Sequence, residues 1–443
     1  MNSVDVLIIG GSAAGIVSAV TGKANYQDKS FMVIRREPQA VVPCGIPYIY
    51  GSLECVDQNV IPTAGLENAG VELRIDTVSS IDTEKKMCRT ESGEEISFEK
   101  LIIATGSVPF VPSFLKGADQ DNVYTIPKDK EYLEGFYNKL ENYNEIIVVG
   151  GGFIGVEISD ELNKKGQKVT LIEILPNLLG LAFDKELAVA AEGILKERGV
   201  KIRTGSAVQE LLTDGVLLAG GEKLSSDAVI LSMGYTPNTT LASQAGLRMT
   251  SQGFIAVDEY MRTDNPDIFA VGDCAEKRDF ITRKQIPLML ASTACAEARV
   301  AGMNLYSLSS VKRFSGTIAV FSTAIGDTGF GAAGMTQKAA ESEGFEIVTG
   351  EFKGIDRHPG KLPGTHEQFV KLIASRESGT VLGGEVIGGT STGELINLIG
   401  FIIQSRMNIY SILTAQIGTH PLLTAAPTAY PLIKAAEAAA RKI

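Results

Sequence analysis

The chain contains two glycine-rich turns, each of which follows a short apolar strand and precedes a helical stretch. In the second turn, within "EIIVVGGGFIGVEISDEL", Gly150, Gly152 and Gly155 have the spacing G-x-G-x-x-G, and Phe153 and Ile154 lie between the last two glycines. Glycines with this spacing let the backbone approach a pyrophosphate, whose charge then lies at the N-terminus of the helix. The turn therefore predicts a Rossmann unit that binds a dinucleotide.

The next strand of this unit, residues 169–172, is followed directly by Glu173. A carboxylate at this point of a Rossmann unit can accept hydrogen bonds from the ribose hydroxyls of the nucleotide. No arginine follows Glu173 closely, so a 2′-phosphate would find no obvious partner. The pattern favours NADH over NADPH, and NADPH stays open as the second choice.

The first turn, within "VDVLIIGGSAAGIVSAV", has the same order of strand, turn and helix with small residues throughout. The residues expected to line the nucleotide are Gly10, Ser12, Ala13, Ala14 and Gly15. Ser12 replaces the central glycine, which still leaves a small side chain beside the predicted pyrophosphate.

The second strand of the first unit, within "SFMVIRRE", has no acid at the position that Glu173 occupies in the second unit. Arg35 is there instead. Because strand side chains alternate, Glu37 lies on the same side as Arg35 and can serve in its place. Both residues are candidate cofactor ligands, and the choice between them stays open.

Two further segments place small and acidic residues where strands end. "LIIATGSVPFVP" is a strand that closes on Ala104, Thr105 and Gly106, and "NPDIFAVGDCAE" is a strand that ends in Gly272 and Asp273. Together with both glycine-rich turns, this order of motifs resembles the FAD-dependent pyridine nucleotide–disulfide oxidoreductases along essentially the whole chain. The resemblance implies that Asp273 holds the ribityl chain of FAD and that residues 104–106 lie near the flavin.

The resemblance also implies the domain organisation of an α/β protein with two Rossmann-like nucleotide-binding domains and an α+β C-terminal domain. FAD-binding sequence is expected at 1–115 and 241–315, and an inserted NAD(P)H-binding domain at 116–240. The segment "LSMGYTPNT", which contains Gly234, matches the point where the chain returns to the FAD domain. Residues 316–443 resemble the family's interface domain, which implies a homodimer.

Cys44 lies between two prolines in "AVVPCGIPYIYG", and it is one of five cysteines. The next one, Cys55, is too distant to form the closely spaced pair of the large disulfide reductases. The chain thus resembles the single-cysteine branch, which implies that Cys44 reduces a small disulfide, persulfide or polysulfide, with coenzyme A as the most plausible carrier. Pro47 is expected to open a helix that favours the Cys44 thiolate, and Tyr48 is a candidate residue of the substrate path.

An NADH oxidase that reduces O2 through a Cys44 sulfenic acid is the alternative reading. A peroxidase is disfavoured, because the first glycine-rich turn lacks the histidine that NADH peroxidases carry there. A flavoprotein that passes electrons to a carrier protein, or that acts as a redox-sensing module, is a third hypothesis and would leave Cys44 dispensable.

The C-terminal region contains candidate acid–base and substrate-binding residues. His420 precedes a proline, as the family's catalytic histidine does, but Ala425 stands where that histidine's glutamate would be. The resemblance to coenzyme A disulfide reductases offers Tyr430 instead. His358 matches the position of their second tyrosine, and Arg357 and Lys361 beside it are candidate ligands for coenzyme A phosphates.

Composition restricts the class of partner. A formal net charge of −11 disfavours a nucleic-acid partner. The sequence contains no run of about 18 apolar residues, so it predicts no membrane span. The scattered cysteines and three histidines have no metal-ligand spacing. An N-terminus without a basic segment or cleavage site predicts a cytoplasmic protein.

Overall fold

The computed structural model describes residues 2–443. The chain divides into two compact units. The first contains the chain up to Pro112, Thr125–Asn142 and Gly234–Thr317; the second contains Ser113–Tyr124, Tyr143–Met233 and Ile318–Ile443. The four predicted domain limits stay a prediction.

The β-strands of the described residues, in chain order, are β1 (Asn2–Ile9), β2 (Phe31–Arg35), β3 (Glu72–Ile75), β4 (Val78–Asp82), β5 (Met87–Thr90), β6 (Glu95–Ile103), β7 (Ser107–Pro109), β8 (Val123–Thr125), β9 (Glu145–Val149), β10 (Lys168–Ile172), β11 (Lys201–Arg203), β12 (Val208–Leu212), β13 (Gly215–Leu218), β14 (Lys223–Ser225), β15 (Ala228–Leu231), β16 (Tyr235–Pro237), β17 (Ile268–Ala270), β18 (Val320–Ile325), β19 (Thr328–Gly334), β20 (Ile347–Ile355), β21 (Glu367–Ser375) and β22 (Val381–Gly388).

The α-helices are α1 (Ala13–Asn25), α2 (Ala64–Asn68), α3 (Lys130–Lys139), α4 (Phe153–Lys164), α5 (Lys185–Glu197), α6 (Thr240–Gln244), α7 (Ala291–Met303), α8 (Gln337–Ser342), α9 (Thr392–Gln404), α10 (Ile409–Leu413) and α11 (Pro431–Ala440). No helix within residues 2–443 combines the length and apolar character needed to cross a membrane.

The first unit is built on a sheet with the strand order β3-β2-β1-β6-β5-β4, to which β17 adds beside β6. Strands β1, β2, β6 and β17 are parallel, and Ile9 pairs with both Ile34 and Ile103 at their carboxyl ends. Near-continuous apolar runs form these strands because both faces of a parallel sheet are covered. Their carboxyl ends place the first glycine-rich turn, Arg35, Ala104 and the Gly272 turn at one edge, where such sheets bind ligands.

The second unit contains a sheet of order β11-β10-β9-β15-β8, in which β9, β10, β11 and β15 are parallel. It also contains an antiparallel sheet of order β18-β19-β22-β21-β20. A small antiparallel sheet, β12-β13-β14, accompanies them. Helix α9 packs on the antiparallel sheet through a buried apolar face that includes Leu395, Ile399 and Ile403. The predicted strands at 146–149 and 169–172 and the α/β fold class are confirmed.

A buried charged cluster also lies within the second unit. The Lys371 Nζ is 3.0 Å from Asp184 Oδ2 and 3.9 Å from Glu385 Oε2, and the Lys371 side chain is 1% exposed. The Asp184 backbone N–H donates to Glu385 Oε1 at 2.7 Å. Burial and the neighbouring Asp184 charge raise the pKa of Glu385 to about 8, although Lys371 opposes that rise. The ion pair fixes the start of α5 against β21 and β22.

Gly350→Ala should destabilise the second unit, because α11 packs directly on strand β20. A Cβ at this position would lie 2.0 Å from the Ala435 carbonyl oxygen. Both groups belong to regular elements and have little room to move, so we expect a loss of about 1–3 kcal/mol of stability. Thermal unfolding measures it. Gly393→Ala is the matched control, since a Cβ at that position would have no atom within 4 Å; equal melting temperatures for the two variants would contradict the packing argument.

Candidate active site

The first glycine-rich turn is a point of very close approach between three segments. Gly10 has φ +107°, and a Cβ there would lie 2.1 Å from the Ala104 carbonyl oxygen. A Cβ at Gly15 would lie 1.8 Å from the Gly10 carbonyl oxygen. The turn, the start of α1 and the end of β6 can therefore meet only without side chains. Ser12 precedes α1 as its N-cap residue, with Ala13 and Ala14 in the first turn, so the backbone here fits a pyrophosphate.

The segment after β6 is tied to the segment that enters the unit at Gly234. The Thr105 hydroxyl donates to the Asn238 carbonyl at 2.6 Å, and the Asn238 backbone N–H donates to the Gly106 carbonyl at 2.9 Å. The Gly234 carbonyl accepts a hydrogen bond from Phe110 at 2.9 Å. These bonds join the segment of residues 104–110 to the segment of residues 234–238; the place of residues 104–106 near the flavin stays a prediction.

Asp273 lies in the short 3-10 turn Gly272–Cys274 that follows β17 at the same sheet edge, and two side chains contact its carboxylate. Oδ2 accepts hydrogen bonds from the Ser107 hydroxyl at 2.7 Å and from Lys128 Nζ at 2.7 Å. Burial alone would raise the pKa of Asp273, but the Lys128 charge and both hydrogen bonds hold the pKa below its ordinary value. Asp273 is therefore charged at neutral pH, and a charged acceptor suits the hydroxyls of a ribityl chain.

Sequence reasoning missed Lys128. It lies between β8 and α3, about as far from Asp273 along the chain as the two glycine-rich turns are from each other. Its Nζ also lies 5.4 Å from the centroid of the Tyr235 ring. No spacing pattern in "IPKDKEY" marks Lys128 as an ion-pair partner of Asp273, so only the tertiary fold identifies it.

Arg35 and Glu37 differ sharply in environment. Arg35 is 4% exposed, and its guanidinium donates to the Gly11 carbonyl at 3.3 Å and to the Pro38 carbonyl at 2.6 Å. Glu37 is half-buried and pairs with the exposed Arg36 at 2.6 Å. Through these two hydrogen bonds, Arg35 connects the first glycine-rich turn to the loop after β2. The Glu37 carboxylate lies at the surface of that loop.

The second glycine-rich turn repeats the geometry of the first. Gly150 has φ +111°, and a Cβ at Gly155 would lie 1.8 Å from the Gly150 carbonyl oxygen. The buried Glu173 carboxylate accepts hydrogen bonds from the backbone N–H groups of Gly151 at 2.5 Å and Leu175 at 2.7 Å. Glu173 therefore faces the turn, and its role as a ribose ligand stays a prediction.

The start of α4 and the end of β11 lie next to the second glycine-rich turn. Gly152 is the N-cap residue of α4, whose first turn contains Phe153 and Ile154. The Phe153 ring packs against Phe321, with centroids 5.1 Å apart. Strand β11 ends beside Glu173 in Arg203, whose guanidinium pairs with Glu222 at 3.0 Å. The sheet therefore brings an arginine near Glu173 that the linear sequence does not show.

Cys44 lies in a short 3-10 turn, Pro43–Gly45, and is the exposed cysteine among the described residues. The buried Asn59 amide donates to the Val42 carbonyl at 3.0 Å, and a Cβ at Gly45 would lie 2.0 Å from Asn59 Oδ1. Asn59, which sequence reasoning also missed, therefore holds the turn on both sides of Cys44, by a hydrogen bond to Val42 and by close packing against Gly45.

The other cysteines differ from Cys44 in burial. Burial raises the pKa of Cys88 to about 12 and also raises the pKa values of Cys274 and Cys295. Cys55 is partly exposed. A thiol that must react needs access and thiolate character, so exposure singles out Cys44.

The helix predicted after Cys44 is present only as a short 3-10 segment. Pro47 opens a 3-10 segment of four residues, Pro47–Tyr50, that contains the half-buried Tyr48. The Tyr48 carbonyl accepts hydrogen bonds from Gly51, Ser52 and Leu53, which turn the chain away. So short a segment has no developed helix dipole, and the thiolate argument based on one does not hold.

The C-terminal candidates gather at one corner of the second unit. His358 Nδ1 is 3.0 Å from the Thr424 carbonyl oxygen, and the His358 backbone N–H donates to the Pro421 carbonyl at 3.2 Å. His420 is exposed, and its Nδ1 accepts a hydrogen bond from the Leu422 backbone at 3.3 Å. Hydrogen bonds thus join the loop of His358 to the turn of His420, although the residues lie far apart in sequence.

The charged residues of this corner are not equivalent. The Arg357 guanidinium is 3.4 Å from Oδ2 of the buried Asp356, its neighbour in sequence, whereas Lys361 is exposed. Tyr430 is the N-cap residue of α11, and partial burial raises its pKa. Position 425, where the family's glutamate would be, holds a buried alanine. Ala425 therefore supplies no carboxylate to His420.

Lys128→Met should weaken the binding of FAD, the cofactor that the sequence implies. Loss of Lys128 leaves the Asp273 carboxylate buried without its cation, so we expect the dissociation constant to rise about tenfold or more. Release of FAD on dilution, followed by fluorescence, measures it. Lys100→Met breaks another lysine–aspartate pair of the first unit, with Asp267; if it releases FAD equally, the Asp273 contact is not the cause.

The pairing also predicts a pH dependence. Because the pKa of Asp273 is lowered in the folded protein, its charged interactions are complete above the ordinary pKa of aspartate and are lost only as the pH falls through the lowered pKa. FAD retention should therefore stay constant through the neutral range and decline in acid. Retention that changes steeply around neutrality would contradict this assignment.

Comparison with known proteins agrees with this geometry. The profile described as pyridine nucleotide-disulphide oxidoreductase matches residues 4–298, and the dimerisation domain of the same family matches residues 320–430. An NADH oxidase of Methanocaldococcus jannaschii is 30% identical over 419 residues, covering 91% of each chain. An NAD(P)H coenzyme A polysulfide/persulfide reductase of Pyrococcus horikoshii is 31% identical over 402 residues, covering 86% of this chain and 87% of the relative.

A solved structure is similarly close. The NAD-dependent persulfide reductase from A. fulgidus superposes with a TM-score of 0.91 and 28% identity, covering 99% of this chain and 83% of that one. The profiles, the relatives and the two glycine-rich turns agree. The chain belongs to the pyridine nucleotide-disulphide oxidoreductases, flavoprotein enzymes that use FAD and NAD(P)H, and it includes the dimerisation domain of that family.

Proposed function

We propose that this enzyme uses NADH to reduce a small disulfide, persulfide or polysulfide at Cys44, with coenzyme A as the carrier. The observation that carries the proposal is the exposed thiol of Cys44, on a turn that the Asn59 side chain holds in place. By contrast, Cys88, Cys274 and Cys295 are buried or have raised pKa values. The names of the P. horikoshii relative and the A. fulgidus structure support the same substrate class.

The first unit supplies the cofactor site in this proposal. The backbone of the first glycine-rich turn takes the pyrophosphate, and Asp273, held by Lys128, takes the ribityl hydroxyls. Glu37 is the better ribose acceptor, because backbone carbonyls already engage the Arg35 guanidinium. FAD, when bound, supplies two electrons that originate in NADH.

Cys44 performs the sulfur chemistry. Its thiolate attacks a disulfide R–S–S–R, forming a Cys44–S–S–R bond and releasing one thiolate R–S⁻. Two electrons then cleave that bond, returning the Cys44 thiolate and releasing the second R–S⁻. With a persulfide R–S–S⁻, the Cys44 thiolate attacks the sulfur bonded to R and forms the same Cys44–S–S–R bond. The outer sulfur leaves with the electron pair of the broken S–S bond and takes a proton from water, which gives hydrosulfide. Exposure of Cys44 gives such substrates access, and Asn59 keeps its turn in place.

The second unit supplies the nucleotide and substrate contacts. Glu173 is proposed to hold the ribose of NADH, and the pairing of Arg203 with Glu222 leaves NADH favoured over NADPH. Lys361, with Arg357 and His358, is proposed to contact the phosphates of coenzyme A, while His420 and Tyr430 are the candidate acid–base residues. A homodimer, supported by the dimerisation domain, and a cytoplasmic location are part of the same proposal.

The alternative is an oxidase that reduces O2 through a Cys44 sulfenic acid. The name of the M. jannaschii relative favours it. Such an enzyme would consume NADH with O2 as the sole acceptor and at a rate comparable to any disulfide turnover, so the two activities can be compared directly on one preparation. Transfer to a carrier protein would instead proceed without Cys44.

Cys44→Ser should abolish NADH-dependent reduction of coenzyme A disulfide or persulfide, by at least about 10³-fold in kcat, because serine cannot form the mixed disulfide. Slow O2 consumption should remain. NADH oxidation is measured with each acceptor in turn, and Cys55→Ser, which removes a partly exposed thiol nearby in sequence, should retain most activity. Undiminished disulfide turnover in Cys44→Ser would refute the proposal; loss of rapid O2 reduction instead would favour the oxidase.

Lys361→Ala should raise the KM for coenzyme A disulfide about three- to tenfold with little change in kcat, because an exposed lysine contributes a modest, salt-dependent attraction to phosphate. The KM for cystine, which lacks phosphate, should not change. Lys353→Ala, also exposed in the second unit, is the matched control. Equal effects on both disulfides would show that Lys361 does not contact phosphate.

A further inference from the structure

Lys277 and Glu297 form a fully buried ion pair next to the cofactor-binding turn of the first unit. Both side chains are 0% exposed, and Lys277 Nζ is 3.0 Å from Glu297 Oε2. Glu297 lies in α7, whereas Lys277 follows the turn at Gly272. A buried pair is costly to desolvate, and replacing one with apolar residues is often neutral or stabilising. General stability therefore does not account for its presence.

The pair holds both polar backbone groups of Gly272, the residue directly before Asp273. The Gly272 N–H donates to Glu297 Oε2 at 2.9 Å, and Lys277 Nζ donates to the Gly272 carbonyl at 2.6 Å. Lys277 also donates to the Ala275 carbonyl at 2.9 Å. Gly272 has φ +77°, a conformation reserved mainly for glycine. The ion pair therefore fixes the backbone on both sides of the residue that contacts the cofactor.

The charges around this turn alternate in sign. Lys128 contacts Asp273, and the Lys277 charge also lowers the pKa of Asp273. Burial raises the pKa of Glu297, while Lys277 and the Gly272 N–H oppose that rise. Two cations and two carboxylates thus compensate one another, and removing Lys277 leaves both carboxylates without that compensation.

We propose that Lys277 and Glu297 are positioning residues for FAD, which hold the Gly272–Asp273 turn in the geometry that binds the cofactor. They act through Asp273, the residue that follows Gly272. The proposal rests on the FAD site of this family and not on the identity of the electron acceptor, so failure of the coenzyme A hypothesis would leave it standing.

The test compares FAD retention in purified holoenzymes. Lys277→Met, Glu297→Gln and the double variant are diluted, and the fluorescence of released FAD gives the dissociation constant. We expect Lys277→Met to raise it about tenfold or more and Glu297→Gln to raise it severalfold, because each leaves one buried charge without its partner. The double variant removes both buried charges and keeps an amide oxygen for the Gly272 N–H, but it still lacks the Lys277 donor to the Gly272 carbonyl. It should therefore regain thermal stability relative to the single variants, while its FAD dissociation constant stays raised.

Lys371→Met is the matched control, because it breaks a buried ion pair of the second unit with Asp184. It should lower the melting temperature while leaving the FAD dissociation constant unchanged. Unchanged FAD affinity in Lys277→Met, an equal rise in Lys371→Met, or a double variant that binds FAD as tightly as the unaltered protein would each overturn the proposal. If Lys277→Met does not fold, Glu297→Gln and the double variant decide between these outcomes.

Discussion

The contact between two glycines in each Rossmann turn is the constraint on which the rest of the structure depends. The carbonyl of Gly10 or Gly150 occupies the space that a side chain at Gly15 or Gly155 would need. This lets a helix start directly above the end of its strand, so that backbone N–H groups and the positive end of the helix dipole face one point. The strands on either side must then end at the same edge, and each adds one residue to the site.

At that edge of the sheet, each buried charged side chain has an oppositely charged or hydrogen-bonding partner. Lys128 opposes Asp273, Lys277 opposes Glu297, and backbone carbonyls take the Arg35 guanidinium. Each of these groups would be costly in an apolar interior without its partner. The compensation keeps Asp273 ionised, and it makes the binding turn rigid before any ligand arrives. Pre-organisation of this kind reduces the entropy lost when a cofactor binds.

The turn that contains Cys44 depends on a neutral side chain, the Asn59 amide. This 3-10 turn is enclosed by the Asn59 side chain, and it leaves the sulfur at the surface. The sequence predicts the importance of Cys44 from its prolines and from the absent second cysteine, but it also predicts a helix where only four residues of 3-10 structure exist. Local preferences set the bend at Pro47, whereas the backbone bonds to the Tyr48 carbonyl decide that the segment ends there.

The sequence by itself determined the α/β class, the two dinucleotide turns and the residues that end their strands, because glycine spacing and apolar strands are local patterns with one dominant structural meaning. It also determined that Cys44 is the candidate redox residue. Only the tertiary structure decided which partners these residues have: Lys128 for Asp273, Asn59 for the turn that contains Cys44, Glu297 for Lys277 and Thr424 for His358. Each of these contacts joins residues far apart in the chain. Such pairs follow from how strands and helices pack, and hydrogen bonds between distant side chains leave no periodic signal in the sequence.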